Sequence, residues 1–237
     1  MAWLRPSGAV ATAPAAALAV PPEPPRVEHS APGLKQALAR LPRPGASVLD
    51  LGPALASNVA FFNRLGSRLR IFDLEGSLRE EGLWDSPAKL AVWERQAAPL
   101  LAAGSGERYD LVLAWDLPNY LGRERWPVVA RELIRRLAPG GMFHLVARTG
   151  KQMPAIPSHF RWIEVDLVRE QQRETGAVTP PRFSHGEIER LHAGLAAAKS
   201  FLDKHGLQEF LLEHVAELNL PPRAVAELRK PRSHYPG

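Results

Sequence analysis

The chain has 237 residues and a net charge of +5, and hydrophobic residues make up 45% of it. This length suits one domain or one and a half, which excludes a large multidomain machine. There is no cysteine, so disulfides, thiolate metal sites and cysteine nucleophiles are excluded as well. The 23 prolines are spread unevenly, which indicates that part of the length lies outside a folded core.

Both ends of the chain differ in composition from its middle. Residues 1–32 are rich in alanine and proline, as is typical of a disordered leader, and prolines interrupt the weak likeness of residues 1–20 to a signal peptide. Residues 221–237 form a second proline-rich segment, predicted to be a disordered basic tail. We therefore predict one folded domain over residues 33–220.

The charge and hydropathy patterns bear on partners and location. Four basic residues face one glutamate between positions 219 and 237, so about +2 remains for the rest of the chain. Such a small excess does not indicate a basic binding face, and we expect no nucleic-acid partner, although the basic tail keeps RNA as an alternative. No run of ~18 apolar residues is present, so we expect a cytoplasmic protein that does not enter a membrane.

Strand-like and helix-like segments alternate along the predicted domain. The predicted strands cover residues 47–52, 69–74, 109–115 and 142–147. Apolar residues at helical spacing lie between these strands and predict helices there. Gly66 is predicted to end one helix. Ser86-Pro87 is predicted to begin the next helix and Pro99 to end it. This alternation predicts an α/β fold with a mainly parallel sheet and helices on both faces.

The last third of the domain is less regular. Residues 160–168 are predicted to form a strand, and Ser184 with Glu187 forms a capping box that predicts a helix reaching about His192. Residues 207–212 fit either a strand or a helix.

Acidic residues follow three of the predicted strands. Asp50 and Gly52 end the first, Asp73 ends the second, and Asp116 follows the third. Ligands of open parallel sheets bind beyond the carboxyl ends of the strands, and an acid after the second strand can accept hydrogen bonds from both hydroxyls of a ribose. These positions therefore predict a nucleoside-containing cofactor.

The turn after the first strand narrows the choice of cofactor. It lacks both the G-x-G-x-x-G pattern and the phosphate-binding loop pattern, which disfavours a pyrophosphate. Val-Leu-Asp-Leu-Gly at 48–52 resembles motif I of class I S-adenosylmethionine-dependent methyltransferases. Residues 70–73, 107–121 and 132–141 resemble further motifs of that family in the same order. The resemblance implies a Rossmann-like methyltransferase fold, with an antiparallel hairpin that closes the sheet near residues 206–211.

The resemblance also implies an activity and a set of site residues. The activity is methyl transfer from S-adenosylmethionine to an acceptor that the sequence does not identify. The implied cofactor-binding residues are Asp50, Gly52, Ala54, Asp73 and Asp116. The implied acceptor-side catalytic residues are Asp116, Asn119 and Tyr120. We predict no metal site, because the helical spacing of His185, Glu189 and His192 fits an exposed helix face better than a ligand set.

One departure from the family pattern leaves alternatives open. Ala54 and Ala56 stand where the family has its second and third glycines. A left-handed conformation at Ala54 would cost ~1–2 kcal/mol, unless the turn is reshaped around Pro53. If the cofactor site has been lost instead, the chain is a non-catalytic binding or assembly protein with the same fold. An enzyme that uses a different nucleotide is a third alternative.

Overall fold

The computed structural model describes residues 26–102, 106–174 and 176–214. Its helices are α1 (Pro32–Arg40), α2 (Ala56–Arg64), α3 (Leu74–Glu80), α4 (Leu90–Ala102), α5 (Leu117–Ile134) and α6 (His185–Leu191). Its strands are β1 (Arg26–Ser30), β2 (Ser47–Asp50), β3 (Arg68–Ile71), β4 (Tyr109–Leu113), β5 (Leu137–Arg148), β6 (Met153–Pro154), β7 (His159–Glu164), β8 (Leu167–Gln171), β9 (Ala177–Val178), β10 (Ala196–Leu202) and β11 (Leu207–Glu213).

A six-stranded sheet forms the centre of the fold. Its strand order is β10-β11-β5-β4-β2-β3. Strands β2 to β5 are parallel to one another, whereas β11 runs antiparallel to both β5 and β10. The Rossmann-like α/β fold and the closing antiparallel hairpin predicted from the sequence are therefore confirmed, and residues 207–212 are a strand.

Each face of this sheet carries its own apolar cluster. Along β4, Leu111 and Leu113 pack into the cluster formed with α1 and α2, whereas Val112 packs into the cluster formed with α3 to α6. This alternation follows from the two-residue period of a strand. Trp93 of α4 and Trp126 of α5 are both fully buried in the second of these clusters.

A three-stranded antiparallel sheet, with the order β1-β8-β7, covers α2. The ring of Trp162 on β7 stacks on Phe61 of α2 with a centroid distance of 4.4 Å. Two predictions are corrected here. The predicted strand 160–168 is a hairpin that reverses at residues 165–166, and β1 lies inside the segment 1–32 that was assigned to the leader. Residues 1–25 and the predicted tail 221–237 lie outside the described residues.

The boundaries of α4 also differ from the prediction. The helix begins at Leu90, and the backbone before it is held by Arg125, which donates hydrogen bonds to the carbonyl oxygens of Trp84 and Ser86. Pro99 does not end the helix, which continues to Ala102, the last described residue before the gap at 103–105. The capping box of Ser184 and Glu187 and the turn at Gly66, with a φ of 66°, are confirmed.

Burial of His192 predicts an acid-sensitive fold. Trp126 Nε1 donates to His192 Nε2 at 3.0 Å, and His192 Nδ1 donates to the carbonyl of Ile188 at 2.7 Å. Burial lowers the pKa of His192 to about 4. The unfolded chain binds a proton below about pH 6.5 and the folded chain does not, so stability falls between pH 6.5 and 4 by up to about 3 kcal/mol.

Substitution of His192 tests this origin of the acid sensitivity. In urea unfolding, His192→Gln is expected to flatten the decrease between pH 6.5 and 4.5, whereas the exposed control His185→Gln keeps it. If the stability of His192→Gln fell with pH as steeply as that of the original chain, a group other than His192 would be the cause of the acid sensitivity.

Candidate active site

A cleft lies at the carboxyl ends of β2, β3 and β4. Its walls include Gly52, Asp73, Trp115 and Asp116 from the strand ends. The opposite wall is formed by Pro157, Ser158 and His159, which belong to residues 153–159, a segment that we call the strap. Three residues predicted from separate motifs, Gly52, Asp73 and Asp116, are therefore brought together at one site.

The cleft is narrow in this conformation. The free volume between its walls is about 20 Å³, which suffices for about one water molecule. The indole of Trp115 and the strap take up the space that a larger ligand would need. A nucleoside therefore enters only after these groups move.

Asp50 lies beneath the cleft and is fully buried. Its Oδ1 accepts hydrogen bonds from the Gly52 amide at 2.9 Å and from Trp115 Nε1 at 2.6 Å, and its Oδ2 lies 3.4 Å from Asn58 Nδ2. Burial raises the pKa of Asp50, and these three donors oppose that rise. Asp50 therefore holds the turn and the Trp115 ring in place, and it does not line the cleft.

The turn after β2 is built without strain at its alanines. Among the described non-glycine residues only Trp115 and Arg182 have a positive φ, so Ala54 is not left-handed. The reshaped turn around Pro53 is thus the alternative that the structure supports. At Gly52 a Cβ would lie 3.2 Å from both Asp50 Oδ1 and Trp115 Nε1, a tight contact that a larger residue could make only if these side chains shifted slightly.

Asp73 caps α3 and also lines the cleft. Its Oδ1 accepts from the amide of Gly76 at 2.9 Å. Its Oδ2 makes no hydrogen bond among the described residues. One carboxylate oxygen is therefore free to accept from a ligand hydroxyl.

Asp116 is part of a buried ionic cluster centred on Arg148. Arg148 Nη2 lies 2.5 Å from Asp116 Oδ2 and 2.8 Å from Glu170 Oε1. Burial raises the pKa of Asp116 against the attraction of Arg148. Burial also opposes ionisation of Glu170, but His29 and Arg148 outweigh it and lower the Glu170 pKa to about 2.

His29 of β1 extends this cluster across the molecule. Its two ring nitrogens lie 2.5 Å from Asp203 Oδ2 and 2.9 Å from Glu170 Oε2. Burial disfavours the charged ring, but the two carboxylates outweigh it and raise the pKa of His29. Since Asp203 precedes β11 and Glu170 lies on β8, the His29 ring joins the small sheet to the large one.

Asn119 and Tyr120 occupy positions that differ from the predicted contact with an acceptor. Asn119 Nδ2 donates to the carbonyls of Asp116 and Val146, and its Oδ1 accepts from the amide of Arg148. The Tyr120 hydroxyl lies 2.9 Å from the carbonyl of Ile156. Both side chains bind backbone groups of the segments beside the cleft, and neither side chain lines the cleft itself.

Sequence reasoning missed Trp115, Arg148 and Glu170. Trp115 has a φ of 49°, an uncommon conformation for a bulky residue that costs ~1–2 kcal/mol. Its ring stacks on Phe160 with a centroid distance of 5.2 Å. Only its place directly before Asp116 could have signalled a role, because the residues that contact it lie far away in sequence.

The predicted helix face with spaced histidines holds no ligand set. His185 lies 3.4 Å from Glu189, whereas His192 is buried against Trp126. Within the part of the chain that the structure describes, no group of three or more potential ligands could hold a metal ion. None of the described helices has the length and apolar character needed to cross a membrane.

Comparison with known proteins gives structural likeness only. No family model matches the chain, and no curated protein does. It is similar in structure to TehB from Haemophilus influenzae (16% identity, TM-score 0.41), covering 77% of this chain and 61% of TehB. It is also similar to the N-methyltransferase NodS from Bradyrhizobium japonicum, at 14% identity and a TM-score of 0.43, over 78% of this chain and 93% of NodS. A third similar structure is the 1,6-didemethyltoxoflavin-N1-methyltransferase from Burkholderia thailandensis, at 12% identity and a TM-score of 0.39, over 78% of this chain and 79% of that enzyme. At these identities and scores, none of their activities carries over to this chain.

Proposed function

We propose that the cleft binds S-adenosylmethionine and that the chain transfers its methyl group to an acceptor still to be identified. One observation carries the proposal. Gly52, Asp73 and Asp116, which were predicted from three separate motifs, line the same cleft at the carboxyl edge of the sheet, where ligands of such sheets bind.

The residues present suit the chemistry of this cofactor. Asp73 Oδ2 is available to a ribose hydroxyl, and Gly52 lets a ligand approach the backbone closely. Glu75 and Asp116 also line the cleft, but Glu75 is paired with Arg79 and Arg173 and Asp116 is paired with Arg148, so these two carboxylates add little net negative charge to the walls. The bound cofactor supplies an activated methyl group, and the contribution of this chain is to position the cofactor and the acceptor.

A second function is favoured by a different observation. Trp115 and the strap leave about 20 Å³ in the cleft, and Trp115 is fixed by both Asp50 and Phe160. If these groups stay in place, the chain is a non-catalytic binding or assembly protein that retains the fold.

Calorimetric titration with S-adenosylhomocysteine separates the two functions. We expect micromolar binding by the full chain and a loss of about tenfold or more in Asp73→Asn, because one hydrogen bond to a charged acceptor is removed. Asparagine still caps a helix well, so α3 is retained. No heat at millimolar ligand would favour the non-catalytic function.

A matched control keeps this test specific. Asp85 is an exposed acid that pairs with Arg79 outside the cleft. Asp85→Asn is expected to bind as the original chain does. Equal weakening in both variants would contradict a contact between Asp73 and the ligand.

A further inference from the structure

We propose that the strap, residues 153–159, is a flap that moves about its junction with β7 at His159 while the rest of the β7–β8 hairpin stays in place, and that it controls entry to the cleft. The inference goes beyond the proposed function and does not depend on which ligand the cleft takes. It rests on the position of the strap, on the kind of contacts that hold it, and on the contrast with the hairpin that follows it.

The strap forms the outer wall of the cleft. Pro157, Ser158 and His159 face the strand ends that carry Gly52, Asp73 and Asp116. With the strap in place, about 20 Å³ is free behind it. Outward movement of Pro157 and Ser158 opens this wall and leaves the strand ends unchanged, while His159 stays paired with Gln171 of β8.

Side-chain hydrogen bonds from Tyr120 and Ser158 hold the strap in place. The Tyr120 hydroxyl lies 3.1 Å from the carbonyl of Pro154 and 2.9 Å from that of Ile156. The Ser158 hydroxyl donates to Glu170 Oε1 at 2.6 Å and lies 3.3 Å from Arg148 Nη2. The bonds of the Tyr120 hydroxyl are neutral and contribute little net stability, because water replaces them on opening. The bond from Ser158 to the Glu170 carboxylate is charge-assisted and is the stronger of the two attachments.

The backbone pairing of the strap is short. Strand β6 pairs with β9 over two residue pairs, and the amide of Ala155 donates to the carbonyl of Gly176. Both prolines of the strap lack the N–H that a longer ladder would use. The strap is thus joined to its neighbours by few main-chain hydrogen bonds.

The hairpin that follows is anchored in another way. Phe160 and Trp162 of β7 and Val168 of β8 belong to the apolar cluster around α1 and α2, and each is at most 5% exposed. No side chain of the strap belongs to either apolar cluster of the described residues. The strap does bury Met153, which is 6% exposed, and its two prolines. Opening it exposes these three side chains and leaves the Phe160, Trp162 and Val168 packing intact, so it exposes less apolar surface than opening of both elements together would.

Hydrogen exchange of the full chain, followed by mass spectrometry of its peptides, tests the flap. Tyr120→Phe and Ser158→Ala each remove one hydroxyl that holds the strap. We expect exchange in the peptide covering residues 153–159 to become about three- to tenfold faster in each variant, with unchanged exchange in the β7–β8 peptide. No ligand is present, so failure of cofactor binding leaves this result intact.

Tyr109→Phe is the matched control, since it removes a buried tyrosine hydroxyl whose partner is Glu107, away from the strap. It is expected to leave strap exchange unchanged. Equal acceleration of the strap and the β7–β8 peptide would overturn the proposal, because the two would then open as one unit. Unchanged strap exchange in both Tyr120→Phe and Ser158→Ala would overturn it as well.

Discussion

Replacement of Arg148 with methionine is expected to lower the free energy of unfolding by about 3–5 kcal/mol at pH 7. The substitution leaves Asp116 and Glu170 buried without the guanidinium that lies within 2.8 Å of both carboxylates. Methionine fills a similar space, so lost packing contributes little. Urea unfolding at pH 7 measures the difference.

The pH dependence of the same variant identifies the cause. Without Arg148, the folded-state pKa values of the two carboxyls rise, so the folded chain binds more protons than the unfolded chain. The stability deficit of Arg148→Met is therefore expected to shrink as the pH falls from 7 toward 5. A deficit that is independent of pH would contradict an electrostatic origin.

Arg169→Met is the matched control for this prediction. Arg169 pairs with Glu28 at 2.6 Å, and the two side chains are 38% and 48% exposed. Exposed pairs of this kind contribute at most about 1 kcal/mol. A loss in Arg169→Met as large as that in Arg148→Met would show that burial of the ion pair does not set the effect.

Trp115→Phe is expected to destabilise the chain by about 2–3 kcal/mol, because it removes a buried hydrogen bond to a carboxylate. Phenylalanine retains an aromatic ring beside Phe160, but Asp50 Oδ1 loses the indole donor at 2.6 Å. Thermal and urea unfolding both report the loss.

Trp162→Phe supplies the comparison for Trp115→Phe. Trp162 is equally buried, but its Nε1 has no hydrogen-bond partner among the described residues. Its replacement removes an unsatisfied donor and is expected to change stability by at most about 1 kcal/mol. Similar losses in the two variants would mean that ring packing, and not the bond to Asp50, holds Trp115.

Local patterns in the sequence were sufficient to predict the four parallel strands of the large sheet, whereas its closing hairpin, β10 and β11, was implied only by the family resemblance. The apolar runs that became β2, β4 and β5 and the capping box at Ser184 depend on neighbouring residues, so each pattern predicted its own element. The small sheet could not be found in this way. Strand β1 pairs with β8, about 140 residues later in the chain, and its short polar sequence carries no signal of that partner.

The same distinction, between local patterns and contacts with distant residues, applies to the site. The positions of Gly52, Asp73 and Asp116 follow from the rule that ligands bind beyond strand ends, and they line the cleft as that rule predicts. The positions of Asn119 and Tyr120 depend on backbone carbonyls that come from β5 and the strap. The contact between Arg148 and Glu170 also depends on distant parts of the chain, because it forms only when the β7–β8 hairpin lies over the large sheet.

A crystal structure of the chain grown with S-adenosylhomocysteine tests the central claim most directly. We expect the ligand in the cleft, with a ribose hydroxyl bonded to Asp73, and with Trp115 or the strap displaced from its present position. Ligand bound elsewhere, or a cleft still filled by the Trp115 ring at saturating ligand, would contradict the claim that this edge of the sheet is a cofactor site.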